Sequence, residues 1–142
     1  MFKRESIFTL VTVTMFLGLL FFSGSANAQT LYTGLVIDAR GLGILPGMSP
    51  KIYDTAGKEV YGTMMVDPDF VIEKGIAGFT SSVDSAIDEG LVGGNPIIVK
   101  AVSLADDPSR SSVVVQDGDA EKILEANASA AFLSAYRVAI IM

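Results

Sequence analysis

A largely apolar run near the N-terminus, Ile7–Phe22, most constrains the folding of this chain, because it separates a leader from the part that can form a globular domain. Basic residues precede the run, and an Ala-Asn-Ala sequence ending at Ala28 follows it, as signal peptidase requires. The run has 16 residues, whereas a membrane-spanning helix needs about 20. We therefore predict a signal peptide over residues 1–28, cleaved between Ala28 and Gln29, with a retained membrane anchor as the alternative.

Cleavage would leave one domain over residues 29–142, and we expect this mature chain to be periplasmic or secreted. It would have no transmembrane span, since no other stretch is long and apolar enough. Removing the leader takes away two basic residues and one acidic residue, which changes the net charge from −6 to −7. An acidic domain repels phosphate backbones, so we expect no nucleic acid among its partners.

The absence of two residue types limits the chemistry. The chain has no cysteine, so its stability must come from packing and not from disulfides. It has no histidine, which removes the commonest general base and a frequent metal ligand. We therefore expect no cofactor, no bound metal and no catalytic residues.

Short apolar segments separated by turn residues predict an α+β fold. The expected order is a strand, a hairpin, a strand, a helix, two antiparallel strands, a helix and a last strand, which favours a single mixed, largely antiparallel sheet with helices packed on one side of it. The predicted strands are Leu31–Ala39, Lys51–Asp54, Glu59–Gly62, Ile76–Thr80, Pro96–Leu104, Ser112–Gln116 and Arg137–Met142.

Two segments have helical spacing. Ser82–Glu89 begins with a residue that favours N-caps, and Ala120–Ala128 follows Asp117 and Asp119, either of which could be the cap. A third segment, Val66–Lys74, suggests a single helical turn. The strand at Pro96–Leu104 is apolar on both faces except at Lys100, so we expect it to be central in the sheet.

The densest group of polar residues and glycines lies at the exit of the first strand, where Asp38, Arg40, Gly41 and Gly43 follow one another. Asp38 and Arg40 share one strand face, and Lys100 needs a partner or access to water. One interpretation is a structural ion pair of Asp38 with Arg40 or Lys100. The other is an anion or ligand site that also uses the backbone amides of the glycine loop, Gly41–Gly47.

Motifs for phosphate or calcium binding are incomplete. The glycine loop contains G-x-G, but Pro46 stands where the third glycine of a dinucleotide motif would be, and no P-loop Lys-Ser/Thr follows. Three acidic pairs could in principle bind calcium, although turn and helix-start positions account for them and none has EF-hand spacing. They are Asp67/Asp69, Asp106/Asp107 and Asp117/Asp119.

Three segments resemble parts of exported bacterial envelope proteins, namely the lipoprotein and flagellar assembly protein T group. They are Tyr32–Gly62, Asn95–Leu104 and Val113–Ile141, and the most specific part is GLVIDARGLG at Gly34–Gly43. The resemblance implies a periplasmic α/β module without catalytic residues to transfer. This chain lacks the lipobox cysteine of the lipoprotein members.

Together these observations favour a non-enzymatic periplasmic module that binds an envelope protein, a peptidoglycan-associated partner or another cell-envelope component. A second hypothesis is a small-ligand or anion-binding protein that uses Arg40, Lys100 and the glycine loop. A third is a carboxylate-dependent hydrolase with Asp38 as its acid or base, since facing carboxylates could support such chemistry without histidine.

Overall fold

The computed structural model describes residues 31–62 and 75–142. The predicted signal peptide, its cleavage site at Ala28 and Gln29, and the predicted helical turn at Val66–Lys74 lie outside the described residues. The acidic pair Asp67/Asp69 lies outside them as well.

Strand β1, Gly34–Asp38, is the centre of the fold. Its sequence has no polar side chain before Asp38, and the residues from Gly34 to Ile37 are buried. It pairs in parallel with β5, Pro96–Leu104, on one side and with β7, Val138–Ile141, on the other. A strand with a neighbour on each side and apolar residues on both faces can be buried only inside a layered sheet.

The remaining strands extend this centre on both sides. β2, Ile52–Tyr53, and β3, Glu59–Tyr61, form the predicted hairpin, and β6, Val113–Val115, is the antiparallel partner predicted for β5. β4, Gly78–Thr80, pairs with β7. The described strands form one seven-stranded sheet in the order β3-β2-β6-β5-β1-β7-β4. The C-terminal strand therefore lies between two neighbours, as its apolar sequence predicts.

The mixed sheet was predicted correctly, but its largely antiparallel character was not. Among the described pairs, four are parallel and only the β2–β3 and β5–β6 pairs are antiparallel. The reason is that β1 pairs with β5 and β7, which lie far along the chain from it. A parallel pair cannot be closed by a tight turn, so the helices carry the chain across the sheet between distant strands.

The two helices within residues 31–62 and 75–142 lie on opposite faces of the sheet, whereas the sequence predicted the helices on one side. Helix α1, Val83–Asp88, packs through Ala86 in a cluster with Val36 of β1. Helix α2, Asp117–Ala130, packs through Ile123 in the cluster that contains Ile37. Adjacent residues of a strand point to opposite faces, so the two helices cover different sides of the sheet.

The helix ends show one correct and one wrong capping prediction. Ser82 is the N-cap of α1, and its hydroxyl accepts a hydrogen bond from the Ser85 amide at 3.1 Å. The residue before α2 is Gln116, which makes no side-chain cap bond, so neither Asp117 nor Asp119 is the N-cap. The Asp117 carboxylate instead accepts hydrogen bonds from the amide and hydroxyl of Thr55, at 2.9 and 2.6 Å.

Tyr61 ties the hairpin to the segment that enters β4. Its side chain is fully buried, and its hydroxyl donates a 2.7 Å hydrogen bond to the carbonyl oxygen of Ile76. Burial raises the pKa of this phenol well above its ordinary value, so the hydroxyl is protonated near neutral pH and can donate this hydrogen bond.

Substitutions at two isoleucines of neighbouring strands should separate core from surface. Ile37 is fully buried, whereas Ile98 is 54% exposed. We expect Ile37→Ala to lower the free energy of unfolding by about 2–5 kcal/mol, because it leaves a cavity. Ile98→Ala should cost less than about 1 kcal/mol, since the side chain is already largely hydrated. Urea unfolding followed by circular dichroism measures both, and equal losses would contradict the assigned burial.

Candidate binding surface

Asp38 and Arg40 form an ion pair where β1 ends. The Arg40 guanidinium donates from Nε to Oδ1 at 2.9 Å and from Nη2 to Oδ2 at 2.8 Å, and the Arg40 amide donates to Oδ1 at 3.2 Å. The Arg40 side chain is 61% exposed, whereas the Asp38 side chain is 21% exposed. The pair therefore lies at the surface, and two of the five N–H donors of the guanidinium are used by Asp38.

The ion pair holds the Asp38 carboxylate in its charged form. The hydrogen bond from the Arg40 side chain lowers the pKa of Asp38 from 3.8 to about 2, and the charge of Lys100 contributes least among the causes. A carboxylate with so low a pKa is a weak base and is not protonated near neutrality, so it cannot donate a proton.

Lys100 lies next to Asp38 but is not bonded to it. The two residues are register partners in the parallel β1–β5 pair, so they share one sheet face. Lys100 is exposed, and within residues 31–62 and 75–142 it makes no ion pair closer than 4.0 Å. The structure thus brings Asp38, Arg40 and Lys100 into one neighbourhood, where only the first two are in contact.

The glycine loop is held by Arg110, which the sequence did not single out. Gly41 and Gly43 both have positive φ angles, 82° and 74°, which favour glycine. The Arg110 guanidinium donates to the Gly43 carbonyl oxygen at 3.3 Å, and the Leu45 amide donates to the Arg110 carbonyl oxygen at 2.9 Å. These bonds tie the loop to the β5–β6 turn.

The β5–β6 turn is stabilised by hydroxyl groups around Asp107. Ser109 and Ser112 donate to Asp107 Oδ2 at 2.7 and 2.9 Å, and the Lys51 amide donates to the Ser112 hydroxyl at 2.9 Å. The hydrogen bond from Ser109 is the main cause of the lowered pKa of Asp107. Ser112 is fully buried, so this network joins the turn to the start of β2.

The most unusual surface is one face of β5. Ile97, Val99 and Ala101 point into the core, whereas Ile98, Lys100 and Val102 alternate with them and are exposed. Ile98 is 54% exposed and Val102 is 45% exposed, although β5 lies between β1 and β6 in the sheet. Strands that pair in parallel are ordinarily covered on both faces, so this exposure is a departure from the common pattern.

The exposure follows from the shortness of α1. This helix has six residues, and together with Val92 it covers the part of the face formed by Val36 of β1 and by Ala139 and Ile141 of β7. The same face over β5, β6 and β2 has no helix above it among the described residues. We call this uncovered region the open face and define it by Tyr53, Ile98, Lys100, Val102 and Val114.

A cleft of about 560 Å³ lies at one end of the open face. Tyr53, Val102 and Val114 contribute apolar surface, and two aspartates and two hydroxyl residues are also among the lining residues. The further lining residues are Asp54, Thr55, Gly57, Ser103, Ala105 and Asp106.

The sequence predicted the central position of β5 correctly but did not indicate the open face. The run was interpreted as apolar on both faces, which suggests burial of both. The available signal was Lys100, because a lysine between Ile98 and Val102 on one strand face indicates that this face has access to water.

Residues 31–62 and 75–142 contain neither a membrane-spanning helix nor a group of side chains that could hold a metal ion. No helix there is long and apolar enough to cross a membrane. Within the same ranges, no three side chains of the metal-ligating types come together in a way that could hold a metal ion.

A family model described as the second domain of Treponema pallidum Tp0624 matches residues 34–142, which is more than three quarters of the chain. The chain belongs to this bacterial family. A comparison with curated proteins found no match. The family description names neither envelope lipoproteins nor the flagellar assembly protein T group, so that part of the resemblance remains a prediction.

The ion pair at the end of β1 should give stability a defined pH dependence. The folded-state pKa of Asp38 lies below its ordinary value, so the pair stabilises the fold above about pH 4 and loses this contribution as the pH falls towards 2. We expect Arg40→Met to return the pKa of Asp38 towards 3.8, as measured by carboxyl-carbon NMR titration. The difference in unfolding free energy between wild type and this variant should shrink between pH 4 and pH 2.

Lys100→Met is the matched control, since Lys100 contributes least to the shift. It should leave the pKa of Asp38 nearly unchanged. A larger change in this control than in Arg40→Met would contradict the assigned pairing.

Proposed function

We propose that this member of the Tp0624 second-domain family is a non-enzymatic binding module that holds a protein partner of the cell envelope on its open face. The observation that carries the proposal is the exposure of Ile98 and Val102 on an interior strand of the sheet. The predicted signal peptide supports a partner in the periplasm or outside the cell.

The physical reason is the cost of leaving this face in water. Burying apolar surface releases about 25 cal/mol per Å², which amounts to about 1.5–3 kcal/mol for a whole isoleucine or valine side chain. Ile98 and Val102 are about half exposed, so a partner could recover roughly half of this for each. Tyr53 adds an aromatic group of the kind that is enriched at interfaces.

A rigid support makes the open face suitable for recognition. The inward neighbours Val99 and Ala101 are buried in the main core, so the outward side chains of β5 are held by a packed sheet and not by a loop. A surface that is already ordered loses little conformational entropy when a partner binds. This favours the open face over the exposed apolar residues of loops, such as Leu45 and Met48.

The two alternative functions receive less support. An anion at Arg40 would compete with the bidentate contact to Asp38 and would approach that carboxylate. The glycine loop that would contribute amides is bonded to Arg110 at Gly43 and Leu45. A hydrolase that uses Asp38 would rely on a carboxylate whose pKa of about 2 is poorly suited to general acid or base catalysis.

Photo-crosslinking tests the proposal. A photoreactive residue is introduced at position 98 on the open face and, as the control, at position 121, which is exposed on α2 on the opposite side of the sheet. In cells that express the chain, we expect position 98 to give a specific adduct that position 121 does not give. An excess of unlabelled wild-type chain should suppress the adduct.

The competitor variants make the test specific. Ile98→Thr combined with Val102→Thr keeps β-branched residues in the strand but removes apolar surface, so it should compete about tenfold less well than wild type, equivalent to about 1.4 kcal/mol. Leu31→Thr, at a residue that is 60% exposed outside the open face, should compete as wild type does. Equal competition by all three chains, with unchanged melting temperatures, would refute docking on the open face.

A further inference from the structure

The cleft beside Val102 combines an apolar interior with free carboxylate groups. Val102, Val114 and Tyr53 provide carbon surface, and Asp54 and Asp106 are also among the lining residues. From this combination we propose that the protein partner inserts an arginine or lysine side chain into the cleft. The inference rests on the proposed function, because the cleft is one end of the open face.

The two carboxylates have capacity to bind a cation. Asp106 is exposed, and no hydrogen bond or ion pair engages its side chain among residues 31–62 and 75–142. Asp54 uses Oδ1 to accept hydrogen bonds from the amides of Ala56 and Lys58, at 3.0 and 2.8 Å. Within the same described residues its Oδ2 accepts no hydrogen bond, so the charge of Asp54 remains available at the cleft.

The residues that line the cleft favour a long cationic side chain over an inorganic cation. A metal ion would need at least three suitable ligands, and no such group exists within residues 31–62 and 75–142. Arginine and lysine have apolar stems that can cover Val102 and Val114, while their charged heads reach a carboxylate. A guanidinium can also stack on an aromatic ring such as that of Tyr53, which is an attraction that a metal ion's hydrated charge does not gain in the same way.

The net charge of the whole chain also favours a cationic partner. The full sequence has a net charge of −6, which attracts a cationic partner at long range. The only cation among the residues that define the open face is Lys100, and it lies next to the Asp38 carboxylate, which partly offsets its field. An acidic partner would therefore be repelled by the net charge of the chain.

A peptide titration tests this inference. The probe is the peptide acetyl-Gly-Arg-Val-Arg-Gly-amide, added to the isotope-labelled chain and followed by amide NMR shifts at low salt. We expect saturable shifts at Val102, Val114 and Tyr53, which weaken as salt is raised. Peptides with glutamate or glutamine in place of both arginines should give at least severalfold weaker binding.

Two aspartate variants provide the matched pair. Asp106→Asn removes a charge at the cleft and should weaken binding of the arginine peptide about two- to fivefold, the range expected for one partly exposed ion pair. Asp88→Asn removes the same charge from the exposed end of α1 and should have no such effect. Equal weakening by both variants would mean that only the net charge matters, and it would overturn the inference.

The remaining outcomes are also decisive. Tighter binding of the glutamate peptide would assign the face to an acidic partner through Lys100 and overturn the inference. Shifts at the open face that depend on protein concentration without peptide would assign it to a second copy of this chain, with the same consequence. If crosslinking at position 98 succeeds while the arginine peptide causes no shifts, the proposed function stands and the inference fails. If the peptide binds at the cleft but no competed adduct forms, the cationic specificity stands without the proposed docking.

Discussion

The burial of β1 between β5 and β7 is the interaction on which the rest of the structure depends. The strand has apolar residues on both faces, so each face needs a cover and each edge needs a partner. Leu35 and Ile37 face the cluster that contains Ile123 of α2, and Val36 faces the smaller cluster that contains Ala86 of α1. The positions of both helices thus follow from one five-residue segment. The smaller size of the second cluster explains why this face of the sheet remains uncovered over β5, β6 and β2.

Local structure was largely predictable because its causes are local. The hairpin, the Ser82 cap and the antiparallel pairing of β5 with β6 each depend on residues close in sequence, and each was confirmed. Strand direction and helix placement depend on which distant strands pair with each other. The hydrophobic periodicity of a segment does not indicate which strand it will pair with. The sheet was therefore expected to be more antiparallel than it is, and the helices were expected on one side.

In the candidate site too, contacts between residues close in sequence were predictable, whereas contacts between distant residues were not. The contact between Asp38 and Arg40 spans two residues, and an ion pair of Asp38 with Arg40 or Lys100 was one of the two interpretations of the sequence. Arg110 reaches Gly43 across 67 positions, so its role could not be inferred from the sequence. The open face was hidden for a related reason. Ile98 and Val102 look like core residues until the length of α1 and its position over β1 and β7 are known.

The distances along the chain between β1 and its partners bear on how the domain folds. Gly34 pairs with Pro96, and Leu35 pairs with Val138. β1 is therefore synthesised well before β5 and β7, the two strands with which it pairs. Folds dominated by such non-local pairs close slowly, because the entropy of the intervening loops is lost before the contacts form. The sheet cannot be completed before nearly the whole chain has been made. The polypeptide therefore stays incompletely folded until its last strand, Val138–Ile141, is available to pair with β1.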